Sequence, residues 1–287
     1  MEPSPDLAHP FYLLKPGEFT LSVKTGLFLE EHEYEVAKVV NDLFDYEHYF
    51  YKIGSTFGIK GERQIGIELS ATAEGEVSKE YSPSFNIPKS YVQYKGFHAA
   101  EVFYQEHFNT HDPDDKLVFE VRFKGSPLNG KETNYTYQGK DIGIALLYSH
   151  LHNDNWRIYG DVRSTIIGKK KVTRYDGVLE SADAYSQFGT MVGFQWLKGK
   201  YWLEANGLFY LTTDYISRSR DYSRVTDKGF VVGGKALFGY YIKPNRIFTI
   251  EHVRQGSNFN VITEDTTEEK EFEIETQYTQ LGVTWLF

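Results

Sequence analysis

The chain has 287 residues and a formal net charge of −9, and its acidic balance argues against nucleic acid as a partner. It contains no cysteine, which excludes a disulfide framework and any thiolate metal site. Tyrosine and phenylalanine are abundant, with 22 and 21 copies, and their flat rings pack well on the pleated surface of β-strands. The composition therefore indicates an all-β protein.

Alternating apolar and polar residues begin at Phe19, Leu21 and Val23 and recur along the chain. Each run lasts about ten residues, which is the length that a tilted strand needs to cross a bilayer. Mean hydropathy is only −0.47, but a barrel strand that alternates apolar and polar residues has an ordinary mean hydropathy. The pattern predicts about twelve strands, at 18–30, 46–60, 63–74, 91–108, 116–124, 137–150, 155–167, 185–197, 200–213, 229–242, 246–257 and 276–287.

The connections between these strands alternate in length. The short ones are 61–62, 109–115, 152–154, 198–199 and 243–245, and the long ones lie near 31–45, 75–90, 125–136, 168–184, 214–228 and 258–275. Short periplasmic turns and longer external loops are typical of outer-membrane barrels. We therefore predict a closed antiparallel up-and-down transmembrane β-barrel over residues 18–287, preceded by a periplasmic N-terminal segment over residues 1–17.

The tryptophans support this topology, because all four fall beside predicted short turns or near the C-terminus. Indole rings favour the interface between membrane and water. Parity places Trp202 on the lumen side and Trp156, Trp196 and Trp285 on the lipid side. We therefore expect an aromatic rim at the end of the barrel that carries the short turns.

The last predicted strand alternates Leu281, Val283, Trp285 and Phe287 with other residues and ends on an aromatic ring. It resembles the signal that bacterial outer-membrane barrels present to the barrel assembly machinery. The whole chain resembles monomeric barrels of that class, which includes channels, lipid-modifying enzymes and autotransporter translocators. The stretch 12–21, with Pro16 and Gly17, resembles the start of uptake barrels of the phenol meta-pathway type. These resemblances imply a location in the bacterial outer membrane.

The predicted inner face carries charges of both signs on neighbouring strands. Taking apolar parity as outward, the lumen-lining residues are Glu68, Glu101, Glu120, Arg122, Lys124, Arg157, Asp161, Arg163, Glu204, Lys235 and Glu251. Such residues predict a charged path for small polar or anionic solutes. The alternative is a lumen filled and braced by ion pairs, as in small barrels.

Two further functions stay open at this point. An outer-membrane lipid enzyme would need a Ser–His pair, but Ser149 and His150 are adjacent on a strand and point to opposite faces. His150 and His152 share a face, yet no third metal ligand is near them, so the sequence favours a non-enzymatic barrel without metal or other cofactor. A structural or adhesive barrel would act through its external loops.

Charged loop stretches define the partners that we expect. Acidic residues cluster at 30–35 and 264–273, and basic residues cluster at 169–171 and at Arg218, Arg220 and Arg224. Such loops can contact the phosphates and bridging cations of lipopolysaccharide, although most charged loops are only solvated. We expect outer-membrane lipid, lipopolysaccharide and a small solute as partners, and passive passage through a narrow channel as the function.

Overall fold

Strands account for almost all of the described residues. The computed structural model describes residues 8–9, 11–36, 39–81, 90–108, 110–112, 114–127, 136–173, 179–218, 223–263 and 266–287. Among these residues no helix is long and apolar enough to span a membrane.

Twelve long antiparallel strands form the wall within the described residues. They are β1 (Phe19–Val36), β2 (Val39–Ile59), β3 (Arg63–Tyr81), β4 (Ser90–Phe108), β5 (Asp115–Pro127), β6 (Thr136–Asn153), β7 (Trp156–Ile167), β10 (Tyr185–Lys198), β11 (Tyr201–Thr212), β14 (Gly229–Lys243), β15 (Arg246–Thr263) and β16 (Thr266–Leu286). Each strand pairs with its neighbour along the chain, and β1 pairs with β16, so the sheet closes. The predicted fold class is confirmed.

The first and last strands close the barrel at its short-turn end. Two backbone hydrogen bonds join Phe19 and Phe287, with N–O distances of 3.1 and 2.9 Å, and their rings stack at 4.8 Å. Leu281 is exposed on the outer wall, on the same face of β16 as Val283 and Trp285. Their role as an assembly signal remains a prediction.

Several strands extend further than the sequence predicted. β1 continues to Val36, β2 begins at Val39, and the four short strands β8 (Lys170–Thr173), β9 (Leu179–Ala182), β12 (Tyr215–Arg218) and β13 (Ser223–Thr226) lie within the two predicted loops 168–184 and 214–228. These short strands pair with one another and with β6 and β15, which raises the wall on the long-loop side. The extensions lack apolar alternation over the length of a bilayer-crossing strand, although Phe259, Val261 and Phe272 form a small buried cluster where β15 and β16 extend.

The two faces of the wall differ in chemistry, as parity predicted. Large apolar side chains are exposed on the outer face, among them Ile53, Ile67, Ile144, Val192 and Leu211. A continuous apolar band of this kind marks a lipid-facing surface. Trp202 is buried on the inner face, whereas Trp156 is exposed on the outer face, 6.5 Å from Trp196 between ring centroids.

Gly239 tests how tightly the inner face is packed at the short-turn end. A Cβ atom at this position would lie 2.0 Å from the indole of Trp202, so we expect Gly239→Ala to destabilise the barrel by about 1–3 kcal/mol. The midpoint of thermal unfolding, followed by the gel shift between compact and unfolded forms, measures the change. Gly256→Ala is the matched control, because a Cβ there has nothing within 4 Å. Equal midpoints for both variants would contradict tight packing around Trp202.

Candidate lumen site

All eleven residues predicted to line the lumen lie on the inner face of the barrel wall. Burial and contacts place ten of them there, and Lys124 shares their face by its register on β5. Most of the eleven are joined in three groups of ion pairs. The largest group is on β4, β5 and β7. The other two groups occupy β1–β3 and β11, β14 and β15. We call the three groups together the charge ring.

Glu120 on β5 is the centre of the largest group. Its side chain is 3% exposed and accepts two hydrogen bonds from Arg122, at 3.1 and 3.0 Å. It also forms an ion pair with Arg163 at 3.4 Å. Arg122 also pairs with Glu101, and Arg163 with Asp161 at 3.0 Å. Removing one partner of such a buried network leaves an uncompensated charge, so these residues hold one another in place.

The two smaller groups continue the charge ring around the wall. Glu68 pairs with Lys24 at 3.3 Å and with Lys52 at 3.7 Å. Lys235 pairs with Glu204 at 2.5 Å and lies 4.0 Å from Glu251. Lys24 and Lys52 were missed in the sequence-based list, although the parity of β1 and β2 already directs them inward.

The described part of the N-terminal segment contacts the inner face of the wall. Its described residues, 8–9 and 11–15, which we call the N-terminal plug, contact inward-facing side chains on opposite parts of the wall. The Leu14 amide donates to Gln64 Oε1 at 3.0 Å, and Gln64 Nε2 donates to the Tyr12 carbonyl at 3.0 Å. Gln195 Nε2, on the other side, donates to the Ala8 carbonyl. The sequence predicted residues 1–17 only as a periplasmic segment, and that prediction did not place residues 8–9 and 11–15 in the barrel.

Apolar contacts add to these hydrogen bonds. The Phe11 ring packs edge-on against Tyr159 at 5.6 Å between centroids, in a cluster with Val118, Ala145 and Leu147. Ala8 is part of a second cluster, with Leu197, Trp202 and Tyr241. The wall residues of these clusters belong to β5, β6, β7, β10, β11 and β14, so the plug packs against six strands near the short-turn end.

A line of hydrogen bonds joins the N-terminal plug to the charge ring. Gln64, which holds Tyr12 and Leu14, also donates to Gln105 Oε1. Gln105 Nε2 in turn donates to Glu120 Oε2 at 2.7 Å. Displacing the plug removes the contacts of Gln64 with Tyr12 and Leu14, and Gln64 is linked through Gln105 to the almost fully buried Glu120.

His9 fixes the conformation of the plug and has a defined tautomer. The Phe11 amide donates to His9 Nδ1 at 2.8 Å, so this nitrogen carries no proton. Nε2 therefore carries the proton and donates to Ser149 Oγ at 2.9 Å. A second proton on Nδ1 would face the Phe11 N–H directly, so docking requires a neutral His9.

The surroundings of His9 oppose its protonation as well. Burial lowers the pKa of His9 below its ordinary value of 6.5. Positive charge on Arg157 of β7 and Lys116 of β5 lowers the pKa of His9 further. His9 is thus neutral in the docked plug at neutral pH.

The contacts of Ser149 test the alternative of a lipid enzyme with a Ser–His pair. Ser149 does meet a histidine, but it is His9 from the plug rather than the adjacent His150. Because His9 Nε2 donates to Ser149 Oγ, it has no lone pair with which to accept the hydroxyl proton, as a general base must. His150 pairs instead with Asp115 at 2.8 Å, and its ring is 6.5 Å from that of His152. Within the described residues no cluster of three or more ligands could hold a metal ion.

The fold defines a closed twelve-stranded barrel of the outer-membrane type. It is similar to an outer membrane channel from Pseudomonas putida F1, with a TM-score of 0.56 and 9% identity, over 97% of this chain and 99% of that one. It is also similar to the transport unit of the autotransporter AIDA-I from Escherichia coli, with a TM-score of 0.56 and 10% identity, over 97% and 95%. At such low identity the likeness concerns the fold alone.

No protein-family model and no curated protein matches the sequence. The resemblance of residues 12–21 to uptake barrels of the phenol meta-pathway type therefore remains a prediction.

Acid should loosen the N-terminal plug. A released His9 takes up a proton below pH 6.5 and a docked one does not, so docking stability is full above 6.5 and is lost as the pH falls. We expect the hydrogen-exchange protection of the Leu14 amide to fall by about tenfold per pH unit below that value. His9→Gln, which cannot titrate, is the control and should give a flat profile. A flat profile in the unmodified chain would contradict the role of His9.

Proposed function

We propose that the chain is a bacterial outer-membrane channel through which small polar or charged solutes pass, and that its N-terminal plug closes the short-turn end. The charge ring is the observation that carries this proposal. Charged groups at the inner wall of a barrel select solutes by sign and by the hydrogen bonds that they offer. Passage is passive and needs no cofactor.

The solvent exposure of the side chains in the charge ring distinguishes an open solute path from a filled lumen. Side chains of Arg122, Lys24 and Lys52 are 34%, 31% and 27% exposed, although they lie on the inner face. Among their carboxylate partners Glu120 is almost fully buried, whereas Glu68 and Glu101 are 26% and 21% exposed. The cations thus face a space that water reaches, which supports a wetted path at this level of the lumen.

The energetics of buried ion pairs support the same interpretation. Desolvation of two charges consumes most of their mutual attraction, so apolar side chains of similar volume fill a core equally well or better. The barrel does use apolar packing where it closes the lumen, around Phe11 and Trp202. Charge at the next level is therefore better explained by contact with a solute than by stability.

A second candidate is a barrel that stays closed and acts through its external loops. The packed N-terminal plug favours it. The basic loop residues give it less support, because Lys169 and Arg218 both pair with Asp183, at 3.4 and 2.5 Å, and so join the short extensions to one another. Lipopolysaccharide, outer-membrane lipid and the assembly machinery remain the partners that we propose for either function.

Ion selectivity tests the channel. We expect the refolded protein in planar bilayers to give salt-dependent single-channel steps. Arg122→Ala and Arg163→Ala, which remove cations from the ring, should shift the reversal potential in a salt gradient toward cation selectivity. Lys140→Ala is the control, because that exposed side chain is on the opposite face of β6 from the lumen. Unchanged reversal potentials in both arginine variants would argue against a path along the ring, and a silent bilayer would favour the closed barrel.

A further inference from the structure

Three lysines direct positive charge into one sector of the lumen, and we propose that they bind a small oxyanion, such as inorganic phosphate. They are Lys24 on β1, Lys52 on β2 and Lys124 on β5, and we call them the lysine sector. As a statement about the transported solute this inference rests on the proposed function, which it narrows from charged solutes in general to oxyanions. As a binding site the lysine sector does not depend on transport.

The first two lysines occupy positions that stability alone would not give them. Lys24 and Lys52 lie directly opposite each other in the register of β1 and β2, where two like charges destabilise a sheet. Both share one acid, Glu68, whose carboxylate oxygens lie 3.3 Å from Lys24 Nζ and 3.7 Å from Lys52 Nζ. Two cations with one carboxylate leave this ion-paired group with one positive charge in excess.

Aromatic rings rather than a second acid hold Lys52 in place. Its Nζ lies 5.3 Å from the ring centroid of Phe50 and 5.7 Å from that of Tyr278. The quadrupole of each ring attracts the cation, but a ring carries no net charge, so the charge of Lys52 is not neutralised. Glu251 also acts on Lys52, and Lys235, 4.0 Å from Glu251, offsets part of that effect.

Lys124 brings a further cation to the same part of the lumen. Its charge acts on Lys52 although the two residues lie on β5 and β2. Lys124 is exposed, and within the described part of the chain it forms no ion pair within 4.0 Å. Its register neighbours Glu101 and Asp141 are acids, but Glu101 pairs with Arg122 instead. Lys124 therefore presents its ammonium group to the lumen rather than to an acid.

These groups fit an oxyanion better than a cation. Each ammonium group has three N–H donors and no acceptor, so several of them around one wetted space suit a ligand with several acceptor oxygens. Glu68 already accepts from two lysines and Glu101 from an arginine, so in these pairs a cationic solute finds no free acid. The shared carboxylate also limits the attraction, which lets an anion leave as well as enter.

Binding of inorganic phosphate to the refolded full chain in detergent, at pH 7 and low salt, tests the lysine sector. Line broadening in phosphorus-31 NMR reports the binding, and added sodium chloride should weaken it. Lys124→Gln should weaken phosphate binding by about tenfold or more, because it removes one charged donor. Lys124 forms no ion pair, so this variant leaves the bracing of the wall intact. Lys140→Gln is the control, since that exposed side chain is on the opposite face of β6 from the lumen.

A second variant changes binding in the opposite direction. Glu68→Gln removes the carboxylate that two lysines share, so phosphate should bind about threefold or more tightly. A residue that only braces the lumen would give no such gain. A gel shift on boiling verifies that each variant is folded, and Lys124→Gln alone decides if Glu68→Gln does not fold.

Each outcome supports or overturns the site. Phosphate binding that falls in Lys124→Gln and rises in folded Glu68→Gln supports it. Binding that is the same in Lys124→Gln as in the unmodified chain overturns it, as does folded Glu68→Gln without a gain, or an unmodified chain that binds no phosphate. A barrel that binds phosphate and passes no current contradicts the proposed channel alone. A barrel that conducts and does not bind phosphate contradicts only this inference.

Discussion

Closure of the hydrogen-bonded sheet is the constraint on which the rest of the structure depends. Hydrocarbon offers no partner to a backbone N–H or C=O group, so every wall strand must pair on both edges. Pairing of β1 with β16 meets this requirement and turns one face of every strand toward an enclosed lumen. The enclosed lumen contains apolar packing around the N-terminal plug, ion pairs in the charge ring and cations that are partly exposed to solvent.

The inner face changes character along the barrel axis. At the short-turn end the N-terminal plug brings Phe11 and Ala8 against apolar wall residues, and the lumen is packed there like an ordinary core. One level further in, acids such as Glu120 are buried against the wall while cations reach toward water. The glutamines Gln64 and Gln105 join the two levels through hydrogen bonds. Movement of the plug can therefore alter the charge ring through these two glutamines.

The sequence alone predicted which strand residues face the lumen, because side chains alternate between the two faces of a strand. Parity placed Trp202 and all eleven charged residues on the inner face because the alternation of side chains across a strand needs no tertiary information. The strand extensions were not predicted, because the apolar residues that they bury, such as Phe259 and Phe272, do not alternate over the length of a bilayer-crossing strand. The N-terminal plug could not be predicted either, because Phe11 and Leu14 lie in an irregular segment that pairs with residues far along the chain, such as Gln64 and Tyr159. The same is true of His9, whose partner Ser149 is 140 positions away.

The central claim is that the N-terminal plug closes a path through the lumen. Reversible cross-linking of the plug to the wall tests this claim most directly. The chain has no cysteine, so His9→Cys with Ser149→Cys adds the two thiols that a short bifunctional disulfide-forming reagent can bridge. These positions face each other across 2.9 Å between His9 Nε2 and Ser149 Oγ. We expect the uncross-linked protein to open frequently in a planar bilayer, the cross-linked protein to stay closed, and a reductant to restore the openings. Conductance that is the same before and after cross-linking would contradict the account.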